Sequence, residues 1–188
     1  MIYFNMTKRQ SVHHSINIFS ERMYLREIDY HDLNFLYKLH QDPEVMKYIG
    51  LLRKKEELKS RIHRIRKEYL STPGLGIWLA CLHNTNEAIG WFNLNDLDGN
   101  PEIEIGYRLA RSFWGKGYAC EMSAKLLAYG FKTIGLDQIV AVTVAQNSAS
   151  IRVLKKSGFQ YRRTGWYYNR WVNFYRITSD EWSLIQVK

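Results

Sequence analysis

Trp114-Gly115-Lys116-Gly117-Tyr118-Ala119 decides how the rest of this chain is read. It follows Glu102-Ile103-Glu104-Ile105-Gly106-Tyr107-Arg108-Leu109, an alternating run with the period of a strand. It precedes residues 120–134, whose pattern predicts a helix. A strand, a tight glycine turn and a helix start make a pocket for a phosphate. The glycines let the backbone approach an anion closely, and the first N–H groups of a helix have no partner within it. A Gly-x-Gly pair alone is an ordinary turn; the flanking strand and helix give it this meaning.

Charge points the same way. The net charge is +9, and residues 111–170 hold ten Lys and Arg against only Glu121 and Asp137. Nearly the whole surplus therefore surrounds the glycine turn. A polyphosphate ligand accounts for it, and nucleic acid is the rival reading. A second basic run, 53–67, reads as the solvated face of a helix.

At 188 residues the chain is expected to form one domain, 21–188, behind an N-terminal extension, 1–20. No apolar run is long enough to span a bilayer, and 1–19 is broken by Lys8, Arg9, His13 and His14, unlike a secretory signal. Cys81 and Cys120 are isolated, which predicts a reducing, cytoplasmic setting without disulfides. Cys120, at a helix start, reads either as a thiol with lowered pKa or as a small packing residue. Neither the cysteines nor the six histidines have metal-ligand spacing, so no metal is expected.

Along the chain, 24–28 reads as a first strand. Asp29 and Asp32 then offer caps for a helix carrying Leu33, Leu36 and Leu39. Pro43 opens a short helical turn, and Leu58, Ile62, Ile65 and Tyr69 stripe a longer helix stopped by Pro73-Gly74. Strands follow at 77–82, 88–94 and 102–109. After the glycine turn and its helix come a nearly all-apolar strand, 138–145, and a short helix, 147–157. A hairpin of 159–168 and 171–177 turns around Asn169-Arg170. The order β-α-α-β-β-β-α-β-α-β-β predicts an α/β domain on a mixed sheet, with a parallel strand–helix–strand unit around the glycine turn.

Several stretches match one pattern in order. They are Glu21-Arg22-Met23-Tyr24-Leu25-Arg26, Asp42-Pro43-Glu44-Val45-Met46, Ile89-Gly90-Trp91, Glu104 to Leu109, and Phe113 to Ala119. Asn147-Ser148-Ala149-Ser150-Ile151-Arg152-Val153-Leu154 and Lys156-Ser157-Gly158-Phe159 complete it. Together they resemble the GNAT superfamily, which transfers acyl groups from acyl-CoA to amines, and within it the RimJ/RimL branch of ribosomal-protein N-terminal acetyltransferases. The resemblance covers 21–182. It implies a GNAT fold with about six to seven strands flanked by helices, and acetyl-CoA as cosubstrate.

The superfamily loop has Gln or Arg, two variable positions, Gly, one variable position, then Gly or Ala. It maps onto Trp114, Gly115, Lys116, Gly117, Tyr118 and Ala119. The aromatic first position departs from the superfamily and is similar to the Rim branch. The resemblance implies that this loop holds the CoA pyrophosphate and that the strand through Tyr107, Arg108 and Leu109 pairs with the pantetheine amides. Asn147 is implied to steady pantetheine. Arg152 and Lys156 read either as ligands of the nucleotide phosphates or as surface charge.

Acetyl transfer to an amine needs a base, a polarised carbonyl and a donor for the leaving thiolate. Glu104, on the polar face with Glu102, Gly106 and Arg108, is the candidate base, with Glu102 second. Its alternative is a half-exposed strand residue balancing Arg108. Many superfamily members carry a tyrosine donor where this chain has Leu154. Ser150 is the candidate replacement, or else a helix-start residue bonded to backbone. Tyr107 and Tyr118 read as packing residues.

The leading expectation is an acetyl-CoA-dependent N-acetyltransferase acting on the α-amine of a ribosomal or other protein, with a homodimer left open. The alternatives are a small-molecule amine acetyltransferase, a silent acyl-CoA sensor, and a basic RNA-binding module using the aromatics of 161–171.

Overall fold

The structure is a computed structural model that describes residues 18–50 and 54–186. The expected extension up to residue 17, with the His13-His14 pair, and Arg53 at the head of the basic run lie outside these residues.

One mixed sheet of eight strands organises the fold, in the order β1-β2-β3-β4-β5-β6-β8-β7. The strands are β1 (Ile18–Phe19), β2 (Met23–Glu27), β3 (Gly76–Leu82), β4 (Ala88–Asp96), β5 (Ile103–Leu109), β6 (Gln138–Thr143), β7 (Gln160–Tyr167) and β8 (Arg170–Thr178). The seven strands legible in the sequence all form. The eighth, β1, falls inside the segment assigned to the extension; Ile18 is buried and pairs with Leu25. Every pairing is antiparallel except β5–β6.

The helices are α1 (Leu33–Gln41), α2 (Pro43–Met46), α3 (Lys55–Ser71), α4 (Tyr118–Tyr129), α5 (Ser148–Lys156) and α6 (Ser179–Gln186). Asp29 caps the 3-10 turn Tyr30–Asp32 ahead of α1, and Asp42 caps α2, whose Pro43 needs no N–H at that position. The stripe Leu58, Ile62, Ile65 and Tyr69 of α3 is buried as its spacing requires. The Tyr69 hydroxyl bridges the backbone of Ile28 and Ile77, fastening α3 across the sheet. α6, not anticipated from the sequence, buries Trp182 against Phe131. The helix expected over 120–134 changes to a π turn at Gly130–Ile134, where a Cβ on Gly130 would collide with Ile139.

The helices cover both faces of the sheet. Trp91 lines a small cavity with Leu36, His40, Ile62 and Ile65 of α1 and α3. Leu94 meets the Gly130 turn that follows α4. Trp91 and Leu94 have opposite parity on β4, so α1 and α3 lie on one face and α4 on the other.

The hairpin turn sits one residue earlier than expected. Tyr167 still pairs with Arg170, leaving Tyr168 and Asn169 as the two turn residues, with φ of 52° and 58°. Positive φ at both is what a two-residue turn between right-twisted strands demands.

Gly90 permits the β4–β5 contact that carries the site. A Cβ there would strike the Arg108 carbonyl oxygen and come within 2.8 Å of the Leu109 Cα. Backbone cannot yield as a side-chain tip does, so Gly90→Ala is expected to destabilise the protein by about 3 kcal/mol. A urea midpoint equal to wild type would refute this.

Candidate active site

The glycine loop is held open and rigid by its neighbours. Beyond β5 a 3-10 turn, Arg111–Phe113, leads to Trp114, whose Nε1–H donates to the Leu109 carbonyl at 2.8 Å. Gly115 and Gly117 both have left-handed φ, 72° and 86°. Gly117 caps α4, and the Glu121 N–H reaches back to its carbonyl at 3.0 Å. The N–H groups of Tyr118, Ala119 and Cys120 are therefore left without helical acceptors.

Arg22 fastens this loop from β2's side of the sheet. It donates to the Lys116 carbonyl at 3.0 Å, pairs with Glu121 at 2.6 Å and stacks 4.2 Å above the Tyr118 ring. Nothing in the local spacing marked Arg22 for this task; it stood only within a matching stretch.

Next to the loop, β5 and β6 part company. Ala110 N–H bonds the Ile89 carbonyl, so by antiparallel alternation the backbone groups of Tyr107 and Leu109 point away from β4, toward β6. β6 pairs with β5 only at Glu104–Val140. Past that pair the strands diverge into a fork. The Tyr107 amide groups and the Leu109 N–H open into it, while Trp114 covers the Leu109 carbonyl. An extended ligand bearing amides fits such an edge.

α5 begins across the fork. Asn147 is its cap, with Oδ1 accepting the Ser150 N–H at 3.1 Å. The Ser150 side chain lies near enough to the Tyr107 hydroxyl to influence its proton affinity. Burial pushes Tyr107 up to about 12, with the neighbouring Cys120 adding to the shift and the Ser150 bond opposing it. Leu154 is buried in the core. Arg152 and Lys156 are exposed, one turn apart on the same face of α5.

Glu104 lies at the root of the fork on the opposite face of β5 from Tyr107. It is not the half-exposed partner of Arg108 that strand alternation suggested. Glu104 is 8% exposed, and its Oε2 accepts from the Tyr168 hydroxyl at 2.5 Å. Arg108 lies roughly 13 Å further along the strand, out of ion-pair range. Its guanidinium instead stacks 4.9 Å from the Trp91 ring, and Nη1 reaches the Met46 sulfur at 3.3 Å. Burial pushes Glu104 up to about 7; the Tyr168 O–H and the Val142 N–H oppose that shift, and the charge of Asp98 adds to it. A carboxyl poised near neutrality accepts a proton and releases it with little cost either way.

A strand edge, a left-handed glycine loop and a helix N-terminus adjoin the fork, and a buried carboxyl lies at its root. The family model for the acetyltransferase (GNAT) domain matches residues 22–160. The chain belongs to the GNAT acetyltransferase family. It is an N-acetyltransferase that uses acetyl-CoA as acetyl donor.

Among curated relatives, the uncharacterised N-acetyltransferase p20 of Bacillus licheniformis is 34% identical over 145 residues, 76% of this chain and 82% of that protein. The FsC-acetyl coenzyme A-N(2)-transacetylase of Aspergillus fumigatus is 29% identical over 185 residues, 88% of this chain and 77% of its own. A GNAT acetyltransferase structure from Bacillus anthracis is 25% identical with a TM-score of 0.74, covering 88% of this chain and 99% of that one. RimL, the ribosomal L7/L12 α-N-protein acetyltransferase, in complex with coenzyme A, shares the fold at 19% identity and a TM-score of 0.74, with 88% and 99% covered. Among the described residues, no helix is long and apolar enough to cross a membrane.

The glycine loop is testable as the pyrophosphate site. A Cβ at Gly117 would sit 3.3 Å from Arg22 Nη2 and force a side chain into left-handed backbone. Gly117→Val is expected to weaken CoA binding at least tenfold, by calorimetric titration, with the circular dichroism spectrum retained. Wild-type affinity in the folded variant would rule the loop out.

Proposed function

We propose that this GNAT protein acetylates the N-terminal α-amine of a protein or peptide. Glu104 serves as general base and Ser150 as hydrogen-bond donor to the leaving thiolate. The observation that carries the reading is the buried Glu104, raised to about 7, at the root of the fork. Acetyl-CoA supplies the activated acetyl group. The loop Trp114, Gly115, Lys116, Gly117, Tyr118 and Ala119 binds its pyrophosphate through backbone N–H groups. The edge through Tyr107, Arg108 and Leu109, with Asn147, orients the pantetheine arm, and Arg152 and Lys156 face the nucleotide phosphates. Tyr107, still protonated at neutral pH, hydrogen-bonds Ser150 and steadies its hydroxyl.

Proton affinity favours an α-amine. Passing a proton from an α-ammonium of pKa ~8 to a carboxylate at about 7 is uphill by ~1.4 kcal/mol. From an alkylammonium of pKa ~10.4 the cost is ~4.6 kcal/mol, a difference worth on the order of a hundredfold. Charge favours the same acceptor. Arg108 lies on the Glu104 face, and Arg170 binds the Tyr48 carbonyl at 3.0 Å beside it. A polycationic amine is repelled by such a wall, whereas a neutral or acidic peptide is not.

A small-molecule amine is the second reading, supported by the Aspergillus fumigatus relative and its N(2)-transacetylase name. An RNA-binding role has less support. Trp166 and Trp171 are exposed, but Arg162 is held by Glu181 at 2.5 Å and Arg163 stacks 4.1 Å from Phe174, leaving fewer cations for phosphates.

Two outcomes test the proposal. In wild type, kcat/KM for a peptide amine should rise with pH through a limb near 7, as Glu104 loses its proton and becomes a base. Glu104→Gln should lose that limb and about a hundredfold in kcat, with acetyl-CoA affinity little changed. A threefold loss or less would leave deprotonation to water. Separately, peptides with free Ser, Ala or Met N-termini should be acetylated on the order of a hundredfold faster than spermidine. Robust spermidine turnover with inert peptides would overturn the acceptor assignment.

A further inference from the structure

The tip of the β7–β8 hairpin contains a residue that the turn itself would not select. Tyr168 has φ of 52°, a conformation that Gly or Asn adopts readily and a bulky aromatic side chain does not. Across from it, Asp98 in the β4–β5 loop is also left-handed, with φ of 48°. The two turns are locked together. Tyr168 N–H donates to Asp98 Oδ2 at 2.7 Å, and Asp98 N–H donates to the Tyr168 hydroxyl oxygen at 3.2 Å. With that oxygen engaged as an acceptor, the phenolic proton is directed at Glu104 Oε2, 2.5 Å away.

We propose that Tyr168 is a positioning residue for Glu104: its hydroxyl, aimed by Asp98, fixes the carboxyl through Oε2 and so sets the direction it presents to the acceptor amine. The inference rests on Glu104 as the base. Strained backbone at a turn persists where surrounding contacts over-determine it, and such positions cluster at functional sites. Here the contacts are the two Asp98 bonds, and the purpose they serve is the aim of one hydroxyl.

The surroundings of Glu104 set the sign of the expected effect. From the β4–β5 loop, Asp98 adds negative charge and raises the Glu104 pKa. From β6, the Val142 N–H stabilises the carboxylate. On β4 its partner Asn95 is uncharged. Arg108 on β5 and Arg176 on β8 share its sheet face by register. Tyr168 from the hairpin is the other group that stabilises the charged form by hydrogen bonding. Removing its hydroxyl therefore leaves burial less opposed, and the carboxyl binds its proton more tightly.

The test is Tyr168→Phe, which keeps the ring and removes the donor. Glu104 is titrated in protein labelled with 13C at the glutamate carboxyls, its resonance assigned by its absence in Glu104→Gln. The midpoint should lie near neutrality in wild type and move upward by about one pH unit in Tyr168→Phe. With a Ser-initiated peptide as acceptor, the rising limb of the rate profile should move by the same amount. The KM for acetyl-CoA should stay within twofold, and the rate at neutral pH should fall several-fold. A titration midpoint equal to wild type would overturn the role of Tyr168. Persistence of the limb in Glu104→Gln would instead overturn the base assignment, and the carboxyl titration would still decide what Tyr168 does.

Discussion

The parting of β5 from β6 beyond the Glu104–Val140 pair is the constraint on which the site depends. A strand within a sheet satisfies its backbone on both sides. β5 does so toward β4 along its whole length and toward β6 only at its start. The groups left over face a cleft, because α4 begins beside it and α5 closes its other side. Had the two strands stayed paired, no polar edge would remain for an amide-bearing ligand. Glu104 would then face a continuous sheet instead of the root of a fork.

Alternation along β5 divides the chemistry between the two faces of the sheet. Glu104 looks toward the side of α1 and α3, where Trp91 and Arg108 line the wall. Tyr107 looks toward α5 and meets Ser150. Glu104 and Tyr107 thus face opposite sides of the sheet from a single strand. Burial acts on both side chains. It raises Glu104 to about 7 and Tyr107 to about 12, so the first exchanges protons near neutrality while the second keeps its own.

Preorganisation comes from outside the strand. Arg22 ties the glycine loop to Glu121 and Tyr118, and Tyr168 ties Glu104 to the hairpin tip. Arg170, from the start of the same hairpin's second strand, holds the turn after α2 through the Tyr48 carbonyl. Each contact fixes a loop or side chain in place before any ligand arrives, which lowers the ordering cost of binding.

The local elements were legible in the sequence because each is encoded by a short-range period or a special residue. The alternation of 102–109, the stripe Leu58-Ile62-Ile65-Tyr69 and the left-handed glycines 115 and 117 all bury or turn as their spacing requires. From them followed seven of the eight strands, the loop and the position of Glu104 on the polar face of β5. Three matters were decided only by tertiary structure: the burial of Glu104, its bond to Tyr168 across 64 positions, and the hold of Arg22 on Lys116 across 94. The reason is physical. Spacing reports which face of an element a residue occupies, whereas its dielectric surroundings and partners depend on which distant segments pack there. A glutamate on a strand's polar face reads as solvent-exposed until the hairpin that covers it is in place.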